Sequence, residues 1–129
     1  MANGWPMEGE LAEKPTAEDL ARRDVPTCRS MDKVETVRRR METSGYEVCV
    51  VVNDAGVVLG QIRTDALPED AEVKAADIMD CAPRTFRLDT KPKRILKYFH
   101  KHNQEDALAT LSDGRLLGLL LRSDLQDQN

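Results

Sequence analysis

The chain has 129 residues, of which 40% are hydrophobic and 33% charged, and its formal net charge is −4. These values indicate one globular unit with an aliphatic core, and they exclude a disordered chain or a miniature scaffold that depends on disulfides. With one Trp, two Tyr and two Phe, the chain is poorly supplied for stacking bases of single-stranded nucleic acid. The longest apolar runs, Val48–Val52 and Leu116–Leu121, are too short to cross a bilayer. Because no secretory signal pattern opens the sequence, we expect a cytoplasmic protein.

Residues 1–17 are rich in Gly, Pro and acidic side chains and contain few apolar residues. This composition predicts an N-terminal tail. Trp5 is the exception within it, and three alternatives stay open: it packs on the domain, it packs on a partner chain, or it is a remnant of a longer protein.

The cysteines and histidines of the sequence do not form a metal-binding pattern. Cys28, Cys49 and Cys81 lack CxxC spacing, so we interpret them as small core residues. His100 and His102 are two residues apart on a predicted helix and point about 200° away from each other. We therefore predict no metal site.

Two stretches of similar length present the same order of signals, which predicts an internal repeat. In the first, Pro26 lies six residues before Asp32, and an amphipathic helix, the buried strand Val48–Val52 and a hairpin turn with Gly follow. In the second, Pro83 lies six residues before Asp89, and the same elements follow. Each unit is predicted to be β-α-β-β followed by the start of another helix.

The predicted helix starts rest on local chemistry. Asp32 followed by Glu35 resembles a capping box, which predicts Asp32 as the N-cap of the first long helix. Asp89 or Thr90 is predicted to cap the second, with Pro92 in its first turn, where a missing N–H costs little.

One such unit cannot bury both faces of a small sheet, so two should pack about a pseudo-twofold axis. The predicted fold class is α/β, with two repeats of a small sheet packed with helices. We divide the chain into a tail at 1–17, repeat 1 at 18–76 and repeat 2 at 77–129.

This doubled order resembles the cystathionine β-synthase (CBS) domain family, and the two copies resemble the tandem pair called a Bateman module. The most diagnostic stretches are residues 77–79, Asp-Ile-Met, before Pro83, and residues 118–125, Gly-Leu-Leu-Leu-Arg-Ser-Asp-Leu. The resemblance covers roughly residues 18–126. It implies repeats of the β-α-β-β-α type, each lining a cleft for an adenosine compound such as AMP, ADP, ATP, NADH or S-adenosylmethionine.

In the second repeat, the resemblance places Asp124 at the position that binds ribose, with Arg122 and Ser123 facing phosphate. Thr85 and Phe86 occupy positions that contact the base, largely by backbone. Asp124 equally suits the N-cap of the helix that begins there, and both interpretations stay open.

In the first repeat, the resemblance makes Arg63, Thr64 and Asp65 the altered equivalents of this set, with Thr27 and Cys28 at the base wall. Asp65 follows its Gly by five residues rather than six. Arg63 either binds phosphate directly or is a solvated residue at the edge.

Two alternatives compete with ligand sensing. Leu121 stands where the family prefers Ser or Thr, which favours a ligand-free dimerisation or interaction module. The basic helix with Lys93, Lys97 and Lys101 suggests nucleic-acid binding, although such a stripe is more often the solvated face of an amphipathic helix.

Nothing in the sequence pairs an acid with a base or activates a nucleophile. We therefore predict a regulatory module with no catalytic site and no cofactor beyond an adenine nucleotide as ligand. The resemblance implies a homodimer through helices, and a client protein is the other expected partner. We expect neither a membrane nor nucleic acid as a partner.

Overall fold

The computed structural model describes residues 15–126 and contains two three-stranded sheets, one in each half of the chain, with helices packed on them. The predicted α/β class with two repeats is therefore confirmed. Trp5 and the rest of the predicted tail up to residue 14 lie outside the described residues. None of the helices within 15–126 is long and apolar enough to cross a membrane.

The first sheet has the order β1-β2-β3, with β1 parallel to β2 and β2 antiparallel to β3. Its elements and the helices beside them are, in chain order, α1 (Ala17–Leu20), β1 (Thr27–Cys28), α2 (Val34–Ser44), β2 (Val48–Val52), β3 (Val58–Arg63), a 3₁₀ helix (Thr64–Ala66) and α3 (Ala75–Ile78).

The second sheet repeats this topology in the order β4-β5-β6. Its elements are β4 (Thr85–Arg87), α4 (Pro92–His102), β5 (Asp106–Thr110), β6 (Leu116–Leu121) and α5 (Arg122–Gln126). The hairpin turns of the two sheets exchange backbone hydrogen bonds: the Val58 N–H donates to the Gly114 carbonyl, and the Leu116 N–H to the Gly56 carbonyl, each at 3.0 Å. This reciprocal pair fits the expected pseudo-twofold relation.

The long helices begin one to two residues later than the sequence predicted. The residue that precedes α2 is Lys33, so the predicted N-cap Asp32 is wrong. The Asp32 carboxylate instead accepts from the Arg29 backbone N–H at 2.8 Å, which closes the preceding turn. Lys91 precedes α4, so Asp89 and Thr90 are also wrong as caps, whereas Pro92 is in the first turn as predicted.

The inner faces of the two sheets pack against each other. Val48 and Val50 of β2 lie in one apolar cluster with Leu108 of β5 and Leu119 of β6, and all four side chains are buried. Successive strand residues point to opposite faces, so the residues between them face the helices. Burial of this branched aliphatic surface stabilises the pairing of the repeats.

The outer faces of the sheets are covered by α2 and α4. In the first repeat, Cys28 and Cys49 pack with α2 and are fully buried, which confirms their prediction as core residues. Cys81 is exposed, so its prediction as a core residue is wrong. It lies in the loop before β4. In the second repeat, Phe99 of α4 is fully buried in the corresponding cluster.

The segment before each repeat's first strand lies against the other repeat. Arg22 exchanges two backbone hydrogen bonds of 2.8 Å with Leu119, and Asp80 exchanges two, of 2.8 and 3.0 Å, with Gln61. Ala17, which the sequence places in the tail, is fully buried in the core of the second repeat. The division of the chain at residues 17 and 76 stays a prediction about the sequence, because the first segment of each repeat packs against the other repeat.

Candidate functional site

A cleft of about 350 Å³ lies where the two repeats meet, and we call it the Arg63 cleft. Its walls include Gln61 and Arg63 from β3 of the first repeat. The opposite side is formed by the segment from Asp80 to Thr85 and by Asp106 at the start of β5. The crossing of the segment before β4 onto β3 brings these walls together.

The main polar feature of this cleft is an ion pair between the repeats. The Arg63 guanidinium donates two hydrogen bonds of 2.7 Å to the Asp106 carboxylate, Nη1 to Oδ2 and Nη2 to Oδ1. The Asp106 side chain is 12% exposed and that of Arg63 41%. The hydrogen bonds that Arg63 donates to this carboxylate raise the pKa of Arg63 above its usual value. The interpretation of Arg63 as a solvated residue at the edge therefore does not hold, because its guanidinium is bound to Asp106.

A second hollow of about 270 Å³ shares Arg63 and Asp106 with the cleft. It is also lined by Thr64 and Asp65, so three of the five residues predicted for the first repeat border one surface. The Thr64 hydroxyl donates to the Glu47 carbonyl at 3.1 Å, and Asp65 is exposed. Carboxylate, hydroxyl and guanidinium groups thus lie together beside the Arg63–Asp106 ion pair.

The far wall of the Arg63 cleft combines an arginine with aromatic rings. The Arg84 guanidinium carbon lies 4.8 Å from the ring centroids of both Phe86 and Tyr98. Thr85 is exposed and lines the cleft. The Phe86 side chain is buried in the second core, so the predicted contact of Phe86 with a base would involve its backbone alone.

Asp124 is in a different environment. Its carboxylate accepts two hydrogen bonds from Arg22, from Nε at 2.7 Å and from Nη2 at 2.8 Å. The Arg22 guanidinium holds the pKa of Asp124 below its usual value. Asp124 is the third residue of α5 rather than the residue before it, so its alternative interpretation as an N-cap is wrong. The sequence analysis gave no sign of Arg22.

The two residues that were predicted to face phosphate in the second repeat, Arg122 and Ser123, lie in different surroundings from Asp124. Arg122 donates to the Glu105 carboxylate at 3.3 Å and lies 3.0 Å from Nδ1 of His100. Ser123 is exposed on the first turn of α5. Arg122 therefore interacts with the loop before β5 and the end of α4.

Thr27 and Cys28 form β1 beside α2. The Thr27 carbonyl accepts a hydrogen bond of 2.8 Å from Arg40, and the Cys28 side chain is buried. The hydrogen bond with Cys28, together with burial, raises the pKa of the Cys49 thiol well above its usual value. Cys28 is thus available to a ligand only through its backbone.

The structure groups the predicted residues differently from the sequence. Thr85 of the second repeat shares a cleft with Arg63 of the first, whereas Asp124 of the second repeat contacts Arg22, which lies in the first repeat before β1. The reason is the crossing of the segments before β1 and β4. Each candidate site is therefore built from both repeats.

Comparisons with known proteins agree with this architecture. The family model for the CBS domain matches residues 17–67. No curated protein sequence matches the chain at a significant level. The cytosolic domain of the Mg²⁺ channel MgtE in complex with ATP is a structural neighbour with 21% sequence identity and a TM-score of 0.82. The match covers 88% of this chain and 48% of that one, so this chain spans about half of that domain.

Two further structures match nearly over their whole length. The CBS domains of a transcriptional regulator from Streptococcus pneumoniae are 19% identical with a TM-score of 0.80, covering 88% of this chain and 98% of that one. CBSX2 in complex with AMP is 15% identical with a TM-score of 0.79, covering 89% and 96%. The family model for the CBS domain thus matches the first repeat, and the chain as a whole has the fold of the CBS domain pairs in these structures.

Proposed function

We propose that this CBS pair is a regulatory, non-catalytic module that binds an adenosine-containing ligand in the Arg63 cleft. The candidate ligands are AMP, ADP, ATP, NADH and S-adenosylmethionine. The observation that carries the proposal is the cleft itself, because a volume of about 350 Å³ bordered by both repeats is within the range of small-molecule sites. The similarity to MgtE and CBSX2 domains in complexes with ATP and AMP supports the same class of ligand.

The polar groups of the cleft suit the parts of such a ligand. The planar guanidinium of Arg63 offers two parallel N–H groups, the geometry that binds phosphate oxygens. Asp65 and Thr64 border the adjoining hollow, where a carboxylate and a hydroxyl suit ribose. Thr85 and the Arg84 face lie at the opposite wall, where we place the base.

Binding would be coupled to conformation through the ion pair. Arg63 belongs to the first repeat and Asp106 to the second, so a phosphate that binds Arg63 competes with a contact between the repeats. A ligand shifts a conformational equilibrium only by its difference in affinity for the two states, and couplings of about 1–3 kcal/mol are typical. The proposed response is a change in the repeat arrangement or in assembly.

A second adenosine site would require Asp124 to contact ribose, with Arg122 and Ser123 towards phosphate and Thr27 and Cys28 at the base wall. Arg22 occupies both oxygens of the Asp124 carboxylate. Ribose binding there would have to displace Arg22. We therefore propose the Arg63 cleft as the principal site.

The alternative function is a ligand-free dimerisation or interaction module that positions a client protein. The observation that favours it is that Arg63 and Asp124 are each held in a two-bond ion pair within the chain. A homodimer through helices is part of both proposals. Light scattering of the protein with and without nucleotide tests whether assembly responds to ligand.

The experiment that tests the proposed function is thermal unfolding with the five candidate ligands. A ligand at about one hundred times its dissociation constant stabilises the folded state by roughly 2.7 kcal/mol, which is a shift of several degrees. We expect at least one ligand to raise Tm in the wild type and the effect to be lost in Arg63→Gln. Asp124→Ala should retain it.

A matched control is Arg39→Gln, which removes an exposed arginine that pairs with Glu35 on α2, away from the cleft. It should respond to ligand as the wild type does. If all five ligands leave Tm unchanged, the sensor function is refuted for this set and the interaction module is the better account. If Asp124→Ala loses the response and Arg63→Gln keeps it, the ligand binds at the other site.

A further inference from the structure

One buried side-chain oxygen in the Arg63 cleft has no hydrogen-bond partner among the described residues. Gln61 is 5% exposed and lines the cleft. Its Oε1 is shielded from solvent and accepts no hydrogen bond from the described residues 15–126. A buried amide oxygen that accepts no hydrogen bond destabilises a fold, because its desolvation is uncompensated. Such a group needs an explanation, and a role in binding a ligand is one.

The backbone of Gln61 does not explain this arrangement. Gln61 pairs with Val50 across the antiparallel β2-β3 ladder, and its N–H and carbonyl also bond to Asp80 at 3.0 and 2.8 Å. These contacts are made by the main chain and would be kept with an apolar side chain. The carboxamide oxygen is thus the part of Gln61 that the fold does not use.

The second repeat shows what the fold itself requires at this position. Gln61 follows Gly60 on β3 as Leu119 follows Gly118 on β6, and Leu119 pairs with Arg22 as Gln61 pairs with Asp80. Leu119 is fully buried in the apolar cluster between the sheets. An aliphatic residue therefore meets the packing requirement, and a carboxamide in its place adds only a hydrogen-bonding capacity.

We propose that Gln61 recognises the edge of the base and selects adenine over guanine. This inference rests on the proposed function of the Arg63 cleft. A carboxamide offers one acceptor and one donor in a plane, which matches the amino group and N7 of adenine. Guanine presents two acceptors, O6 and N7, on the same edge, so it leaves Oε1 facing another acceptor.

The surroundings of Gln61 fit a base. Tyr98 and Arg84 line the same cleft. The Arg84 guanidinium lies over the Tyr98 ring at 4.8 Å, and Arg84 is exposed, so its plane is the surface on which a base would stack. Stacking holds any base, whereas the edge contact distinguishes one base from another. The chemistry of this cleft therefore divides into a tolerant stacking surface and one selecting residue.

The test measures the affinity of AMP and of GMP by calorimetry for the wild type and for Gln61→Leu. The substitution reproduces the arrangement at Leu119 and keeps the side-chain volume. A good bidentate base contact corresponds to roughly five- to hundredfold discrimination. We expect the wild type to prefer AMP by about tenfold or more on this basis, and Gln61→Leu to bind both nucleotides with similar affinity.

Two further measurements separate selection from a structural role. The ligand-free Gln61→Leu protein should have a Tm equal to or above that of the wild type, because an unpartnered amide has been removed. Gln126→Leu, which changes an exposed glutamine on α5, should leave the AMP preference unchanged. A lower Tm together with an equal loss of affinity for AMP and GMP would indicate a structural role and overturn the inference.

The remaining outcomes are equally distinct. If the wild type binds both nucleotides and Gln61→Leu keeps the preference for AMP, the inference is overturned while the proposed function stands. If the wild type binds neither AMP nor GMP, both the selecting role of Gln61 and AMP binding at this site are refuted.

Discussion

Replacing Gly118 with alanine should disturb the contact between the N-terminal segment and β6. A Cβ atom added at Gly118 would lie 2.5 Å from the Arg22 carbonyl oxygen and 2.9 Å from its carbonyl carbon. Real Cβ contacts are not shorter than 3.0 Å, so the Arg22 backbone must move by about half an ångström or more. The obstacle is main chain, which cannot rotate away as a side chain can.

The size of the effect follows from the contacts that this movement weakens. Overpacking of a close contact costs about 1–3 kcal/mol. The two 2.8 Å backbone hydrogen bonds between Arg22 and Leu119 would weaken as well, at about 0.5–1.5 kcal/mol each if lost. Alanine also lowers the conformational entropy of the unfolded chain, which stabilises the folded protein and offsets about 0.4–1 kcal/mol of this loss. A net loss of about 2–4 kcal/mol corresponds to a fall in Tm of roughly 10 °C for a chain of this length.

Urea unfolding of Gly118→Ala checks this prediction against two other variants. Gly60→Ala should lose a similar amount, because its Cβ would lie 2.6 Å from the Asp80 carbonyl oxygen. Gly45→Ala meets no atom within 4 Å but has a φ of +78°, so it should lose only about 1–2 kcal/mol from backbone strain. A Gly118→Ala protein no less stable than Gly45→Ala would refute the reasoning.

Three further predictions concern pH, packing and the ion pair of the cleft. Arg22 lowers the pKa of Asp124 in the folded state, so the pair stabilises the fold above the unfolded pKa of about 4 and this stability is lost as the pH falls through the folded value. In urea titrations, Asp124→Asn should therefore lose less stability than the wild type between pH 5 and pH 2, and an equal loss would contradict the pairing. Val50→Ala should cost about 2 kcal/mol by calorimetry, because Val50 is fully buried between the sheets, and a loss within error of zero would argue against that interface. Asp106→Asn should bind ATP several-fold more tightly than the wild type, because Arg63 is released from its partner, and an unchanged affinity would show that phosphate does not compete with Asp106.

The parts of the fold that the sequence predicted correctly depend on neighbouring residues. The strand Val48–Val52 is a continuous run of buried residues, and Gly56 and Gly114 have the positive φ that the hairpin turns require. Pro92 marks the first turn of α4. Because the same local signals occur twice at similar spacing, the order of elements in both repeats was predictable.

The partners in the candidate sites were not predictable in the same way. Arg22 and Asp124 are 102 residues apart and Arg63 and Asp106 are 43 apart, and no periodicity connects them. Their meeting depends on the crossing of the segments before β1 and β4 onto the other repeat. Sequence reasoning therefore identified Arg63 and Asp124 as candidate binding residues. It did not identify the ion-pair partner of either one.

Gln61 is a further residue that the sequence did not single out. In a strand, a glutamine between apolar residues looks like an ordinary alternation of inward and outward side chains. Its burial became evident only in the structure, where the equivalent Leu119 lies in the core. Comparison of the two repeats position by position is therefore the way to find such residues in tandem modules.

The central claim is that an adenosine ligand binds between the repeats at the Arg63 cleft. The most direct measurement is an NMR titration of the ¹⁵N-labelled protein with AMP and with ATP, following each backbone amide. We predict shifts centred on Gln61, Arg63 and Thr85, with smaller changes at Arg22. No shift with either nucleotide, or shifts confined to the surroundings of Asp124, would contradict the account.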